Sequence, residues 1–190
     1  MEFTNNNLTF VIVTFNSRKV IFDCLNSLPK EFHKLIIDNS SDKELKKELE
    51  QNYDKIKVIL SENKGMGAGN NLGILRSNTQ YVYVLNPDVV LKKDTLSNIN
   101  TSISGLQNFA ILSPISDNLD YPNYKIDKKK LSETINKDII ANVEEIDGYS
   151  MIINKSFFSN NIFFDEKFFM YLENVDLCLR AKKNNGKLII

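Results

Sequence analysis

The chain has 190 residues, with 24 lysines and arginines against 24 aspartates and glutamates and therefore no net charge. That length supports one domain with a sizeable core rather than two, and the charge balance excludes a nucleic-acid protein that relies on broad positive charge. No charged-then-apolar leader precedes the first apolar run, and no run approaches the roughly 18 residues of a membrane span, so a cytoplasmic protein is expected.

Leu8 to Phe15 is a short apolar run suited to a buried strand, and Asn16 and Ser17 after it are candidate helix caps. Val20, Ile21, Cys24, Leu25 and Leu28 then recur at helical spacing, with Pro29 at the end. Leu35 to Asp38 reads as a second strand that ends on a carboxylate and is followed by turn-prone Asn39-Ser40-Ser41. Asp42 to Asn52 is an amphipathic helix, and Ile56 to Leu60 a third strand. A polar, glycine-rich stretch runs from Glu62 to Asn71, helical periodicity resumes through Leu72 and Leu75, and Tyr81 to Leu85 is a fourth strand.

This alternation predicts an α/β fold, a mostly parallel sheet with right-handed crossovers and helices on both faces. A helix over Asp94 to Ser104 and a strand over Phe109 to Leu112 continue it. After Pro114 the pattern loosens. Regularity returns over Val143 to Asn154, interrupted by Gly148, then in the aromatic stretch Phe163 to Tyr171 and a helix from Glu173 to about Lys183; Lys187 to Ile190 begins another strand.

Ligands of open α/β sheets bind beyond the carboxyl ends of the strands. Thr14 with Asn16, Asp38, and Asn86 with Asp88 are polar residues at three such ends, and the coincidence outweighs any single member. Asn86-Pro87-Asp88 reads as a turn, or as a corner whose carboxylate takes a hard divalent cation together with phosphate oxygens. Asp38 is a turn or capping residue, or an acceptor for a base or ribose. Lys64 to Asn70 resembles a phosphate-cradling loop, in which glycines such as Gly65 permit positive φ. It follows the third strand and lacks a Gly-Lys-Ser/Thr ending, which argues against a dehydrogenase or a P-loop NTPase.

Glu173 and Asp176 share a helix face, with Arg180 four residues beyond Asp176. They are first-turn acids and half of a helix ion pair, or a general base facing the crevice. Gly148 marks a bulge or a ligand's close approach. Cys24 and Cys178 read as buried thiols, His33 as a surface connection, and Lys128-Lys129-Lys130 as a solvated run too short for a lipid-binding cluster.

Five ordered motifs resemble glycosyltransferase family 2, the inverting GT-A-fold enzymes, and its rhamnosyltransferase-like bacterial members in particular. They are Val11 to Asn16 with Ile37 to Ser41, Asn63 to Asn70, Leu85 to Asp88, Asp147-Gly148, and Phe169 to Arg180. The resemblance implies a GT-A, Rossmann-like sheet sandwiched by helices. It implies an NDP-sugar donor (dTDP- or UDP-linked), Mg²⁺ or Mn²⁺ as cofactor, and a saccharide or lipid-linked acceptor in bacterial surface polysaccharide synthesis. No nucleic-acid partner is implied; peripheral contact with the inner face of a membrane and the oligomeric state stay open.

By the same resemblance Thr14, Asn16 and Asp38 hold the nucleotide, with Asn63, Lys64, Gly65 and Asn70 nearby. Asn86 and Asp88 occupy the metal-binding corner, Asp88 as metal ligand. Gly148 borders the sugar pocket, and Glu173 or Asp176 is the catalytic base. Three departures stand out: Asn86 replaces an acid, Asn174 stands where relatives often place the base, and relatives continue past the last strand to a histidine metal ligand. Residues 1 to 190 are thus expected to form one catalytic domain with its C-terminal part missing. The rival readings are a non-catalytic, nucleotide-binding or scaffold remnant of such an enzyme, and a sugar nucleotidyltransferase, whose Arg-containing loop after the first strand is not found in Thr14 to Ser17.

Overall fold

The computed structural model describes residues 1–106, 108–118, 120, 122–126, 133–136, 139–158 and 161–190. The Lys128 to Lys130 run lies outside them. In chain order the elements are β1 (Leu8–Thr14), α1 (Ile21–Ser27), β2 (His33–Asp38), α2 (Lys43–Asn52), β3 (Ile56–Leu60), α3 (Met66–Arg76), β4 (Tyr81–Leu85), α4 (Thr95–Ser102), β5 (Phe109–Leu112), β6 (Tyr124–Lys125), β7 (Glu133–Asn136), β8 (Ile139–Ala141), β9 (Glu145–Ile146), β10 (Ser150–Asn154), α5 (Glu173–Lys183) and β11 (Lys187–Ile189).

Among the described residues a nine-stranded sheet has the order β3-β2-β1-β4-β10-β5-β11-β8-β7, and β6 with β9 forms a separate ribbon. The strands predicted from the apolar runs pair in parallel, β1 with β2 and β4, β2 with β3, and β5 with β11. β10 is antiparallel to both β4 and β5, and β8 is antiparallel to β11 and β7. The predicted interruption at Gly148 is therefore a change of sheet. The chain leaves the ribbon at β9, turns through residues 147–149 and enters the main sheet as β10.

Every residue of β1 is buried because helices cover both faces of the sheet. Phe10 and Ile12 point to the face packed by Ile21, Leu25, Leu45, Leu49, Leu96 and Ile99 of α1, α2 and α4. Val11 points to the other, packed by Ile74 of α3 and Leu177, Cys178 and Ala181 of α5. The side-chain period of two thus divides one apolar run between two cores. Asp42 starts α2 by accepting from the Glu44 and Leu45 amides at 2.9 Å each.

α3 departs from expectation. The glycine-rich stretch is a loop only as far as Gly65, which caps the helix at φ +100°, and Gly67, Gly69 and Gly73 lie inside α3. A Cβ on Gly69 would stand 2.8 Å from Val13 Cγ1, and one on Gly73 2.3 Å from Val11 Cγ1. These glycines bring the helix down onto β1; periodicity of large apolar residues cannot reveal a helix packed through residues without side chains. Cys24 and Cys178 are buried free thiols and His33 is exposed, as the sequence indicates.

Candidate active site at the carboxyl edge of the sheet

The chain passes from β1 through β2 to β3, then returns to place β4 on the other side of β1. The crevice between the carboxyl ends of β1 and β4 is therefore the point where strand order reverses, the usual ligand position in such sheets. β4 delivers Asn86 and Asp88 there. The Asn86 amide donates to the Tyr149 carbonyl at 2.9 Å, and the Val89 amide donates to the Asn86 carbonyl at 3.2 Å. Asn86-Pro87-Asp88 is thus a turn, and it also lines a cavity of 470 Å³ with Tyr149, Ser150 and residues 114–117. The turn reading of that corner holds.

Asp88 is exposed and enters no hydrogen bond or ion pair among the described residues. Its charge reaches Cys24, whose thiol is pushed up to about 12 by burial first and by Asp88 second. The Cys24 Sγ lies 3.8 Å from the Asn86 carbonyl oxygen, packing the back of the corner. A free carboxylate and an amide oxygen beside a cavity are hard donors that fit Mg²⁺ or Mn²⁺. Among the described residues no three His, Cys, Asp or Glu side chains cluster to hold a metal, so a cation here takes its other ligands from solvent or from a bound diphosphate.

Thr14 and Asp38 are fully buried at the ends of β1 and β2. Thr14 Oγ1 donates to Asp38 Oδ1 at 2.9 Å, Ser40 Oγ donates to the same oxygen at 2.6 Å, and the Asp42 amide donates to Asp38 Oδ2 at 2.6 Å. Both oxygens of Asp38 therefore already accept from this chain, and a ligand reaching Asp38 must share these bonds. Asn16 is exposed in the left-handed region, φ 54°, with its amide 3.4 Å from Ser40 Oγ.

At the start of α3, Asn63 Oδ1 accepts from the Gly65 amide at 3.1 Å, and Lys64 is exposed without a partner among the described residues. A Cβ on Gly65 would meet the Phe169 carbonyl oxygen at 2.4 Å, and the Met66 amide donates to that oxygen at 3.2 Å. Glycine is required at residue 65 on both counts, positive φ and contact. Asn71 makes a reciprocal pair with the Phe164 backbone at 2.8 and 2.9 Å, fixing the segment that leads to α5. Three buried oxygens lack a hydrogen-bond partner among the described residues: Asn39 Oδ1, Asn70 Oδ1 and Glu173 Oε2. All three belong to or border the first turns of α3: Asn39 Nδ2 lies 3.4 Å from the Gly65 carbonyl, and Glu173 Cβ is 3.8 Å from a Cβ built on Gly67.

Tyr171 and Leu172 precede α5 at φ +68° and +66°, two successive left-handed residues that are not glycine. They turn the chain so that Glu173 opens the helix beside α3 and outside the Asn86–Asp88 cavity. Asn174 Nδ2 donates to the Ile146 carbonyl at 3.0 Å, and its side chain lies against Gly148, where a Cβ would come within 3.3 Å. Asp176 is held by Arg180 at 2.7 Å. Of the predicted residues, the structure joins Thr14 to Asp38, Asn86 to Asp88, and Glu173 to the α3 turn that carries Gly65 and Asn70. Tyr149 and Ser150, which line the cavity, escape sequence reading, because the only signal there is the break at Gly148.

The sequence model of glycosyl transferase family 2 matches residues 9–179. The chain is 29% identical over 198 residues to the low-salt glycan biosynthesis hexosyltransferase Agl10 of Haloferax volcanii, spanning 95% of this chain and 63% of that protein. It is 26% identical over 189 residues to rhamnosyltransferase WbbL of Escherichia coli, spanning 85% of this chain and 70% of the relative. The fold matches that of GalNAc-T7, solved with UDP, GalNAc and Mn²⁺, at a TM-score of 0.76 and 17% identity, over 96% of this chain and 42% of the other. The chain therefore spans less than two thirds of the hexosyltransferase's length.

Proposed function

The chain belongs to glycosyltransferase family 2, and from that premise we propose that it moves a hexose from a UDP- or dTDP-linked donor to a saccharide or lipid-linked acceptor in surface glycan assembly, with inversion. The observation that carries the proposal is the placement of Asn86 and Asp88 at the strand-order reversal, lining a cavity with a carboxylate free for a cation. The hexosyltransferase and rhamnosyltransferase relatives support the donor class, and no helix among the described residues is long and apolar enough to cross a membrane.

Asp88, with Asn86 as neutral or water-mediated partner, would hold the divalent cation. When bound, the cation supplies charge to the diphosphate as it leaves. Glu173 is the proposed base. Its Oε2 is buried without a partner among the described residues, an arrangement that costs about 1–3 kcal/mol and calls for a donor such as a hydroxyl. The acceptor oxygen forms the new bond to the anomeric carbon, the bond from that carbon to the diphosphate breaks, and the hydroxyl proton passes to Glu173. Asn39 and Asn70, whose amide oxygens are also unpartnered, suit sugar or ribose hydroxyls beside the same helix turn.

Calorimetry with UDP, dTDP and GDP, each with Mn²⁺, with Mg²⁺ and with EDTA, tests the donor site. Binding that depends on metal and selects one nucleotide is expected; no binding under any condition overturns the proposal. Binding without transfer to any acceptor would favour the non-catalytic alternative.

A further inference from the structure

We infer that the amino edge of the sheet, opposite the candidate active site, carries a separate binding site for a phosphate-bearing anion. The cavity there has a volume of 520 Å³ and lies among the first residues of β1, β2 and β3 and the chain that leaves α3. His33, Lys34, Lys55, Lys57 and Arg76 line it, and no aspartate or glutamate does. In a chain with no net charge this is a local segregation of cations, not the result of a basic composition.

None of the three lysines, nor Arg76, is neutralised by a carboxylate ion pair among the described residues. Lys34 Nζ donates to the Lys30 and Phe32 carbonyls at 3.3 and 2.9 Å, and Lys55 Nζ to the Glu31 carbonyl at 2.8 Å. Lys155, just behind Ser77 of the lining, donates to the Ser77 carbonyl and hydroxyl at 3.0 and 3.2 Å. Carbonyls accept hydrogen bonds but leave the positive charge uncompensated. Lys57 and Arg76 are exposed and have no partner at all among the described residues.

Lys34 is itself buried, with its side chain on the sheet face of Ile36, towards Lys30 and Phe32, so the free charge of the cavity comes from Lys57 and Arg76 on the face of Leu35 and Ile74. Phosphate is the chemistry that fits, since the guanidinium of Arg76 presents a planar fork to phosphate oxygens and the lysines supply point charges around it. This inference stands apart from the donor site and does not depend on it.

The test uses inorganic pyrophosphate by calorimetry in EDTA, and sedimentation with phosphatidylcholine vesicles that contain phosphatidylglycerol. One or both should bind, unchanged in Asp88→Asn and in Lys167→Glu, a charge change near the opposite edge. Lys57→Glu combined with Arg76→Glu should weaken binding by about tenfold or more, the worth of one charge-assisted bond. Pyrophosphate binding alone assigns a soluble anion, and vesicle binding alone a lipid headgroup. If neither binds, or if the double variant binds like the unmodified chain, the inference is overturned.

Discussion

Arg180 meets Asp176 through two nitrogens, Nε and Nη2, each 2.7 Å from the same Oδ2. The guanidinium also donates to the carbonyls of Ile162 and Phe163, so the pair fastens α5 to the segment before it. Asp176 is thereby occupied by structure, which leaves Glu173 as the free acid of the helix start.

The two acids should therefore respond differently. Glu173→Gln is expected to slow transfer by about a hundredfold or more with nucleotide affinity unchanged. Asp176→Asn is expected to lose about 1 kcal/mol of stability, read by urea denaturation, and to keep turnover within about tenfold. Full turnover by the Glu173→Gln chain would reject the base assignment.

Asn174 follows Glu173 at the start of α5, and its amide is a donor to the Ile146 carbonyl. Asn174→Asp places a carboxylate oxygen against that carbonyl and removes the donor. The expected result is a loss of about 1–3 kcal/mol in chemical denaturation and no gain in activity.

Asp88 should carry the metal dependence of nucleotide binding. In Mn²⁺, calorimetry is expected to find that Asp88→Asn binds the preferred nucleotide no better than the unmodified chain does in EDTA. Retained Mn²⁺ enhancement in the variant would remove Asp88 from the metal site.

Gly73→Ala tests the close approach of α3 to β1. Alanine is favoured over glycine in a helix by about 1 kcal/mol, but the added methyl would stand 2.3 Å from Val11 Cγ1. Overpacking of about 1–3 kcal/mol should win, and the urea midpoint should fall. A rise in the midpoint would show that Val11 yields freely.

Asp147 has its pKa raised, by burial first and by Glu145 second, with Lys125 opposing. A folded-state pKa above the unfolded value means that the native chain holds the proton more tightly. Stability then falls as pH rises from the ordinary value of 3.8 through the folded value, and the penalty is fully present above it. Asp147→Asn should raise the denaturation midpoint at pH 7 and leave it unchanged well below the unfolded pKa; an equal rise at both pH values would assign the effect to packing.

The sequence made the first half of the fold legible because β1, β2 and β4 are apolar runs buried on both faces, and β3 at the sheet edge is apolar at every position but Lys57, each followed or ended by a polar residue. The Asn86–Asp88 corner was readable for the same reason, as a strand that stops on a proline and a carboxylate. The antiparallel insertion of β10 was not readable, since Ser150 to Asn154 is as buried as a parallel strand and carries no mark of direction. The interior of α3 was misread because glycine contributes to packing by having no side chain. The roles of Asn39 and Asn174 depend on partners far away in sequence, which spacing does not register.

Ile152 of β10 pairs with Leu112 of β5, and Ile189 of β11 pairs with Ala141 of β8, so the chain that departs after β5 re-enters the sheet beside the place it left only after adding β8 and β7 to its far edge. Residues 114–117 and Tyr149, close to the two ends of that span, both line the cavity with Asp88. The span is therefore a strap and not a free loop: one stretch of sequence shapes the rim of the cavity and the rim of the sheet, which ties the surroundings of Asp88 to the anchoring of β11.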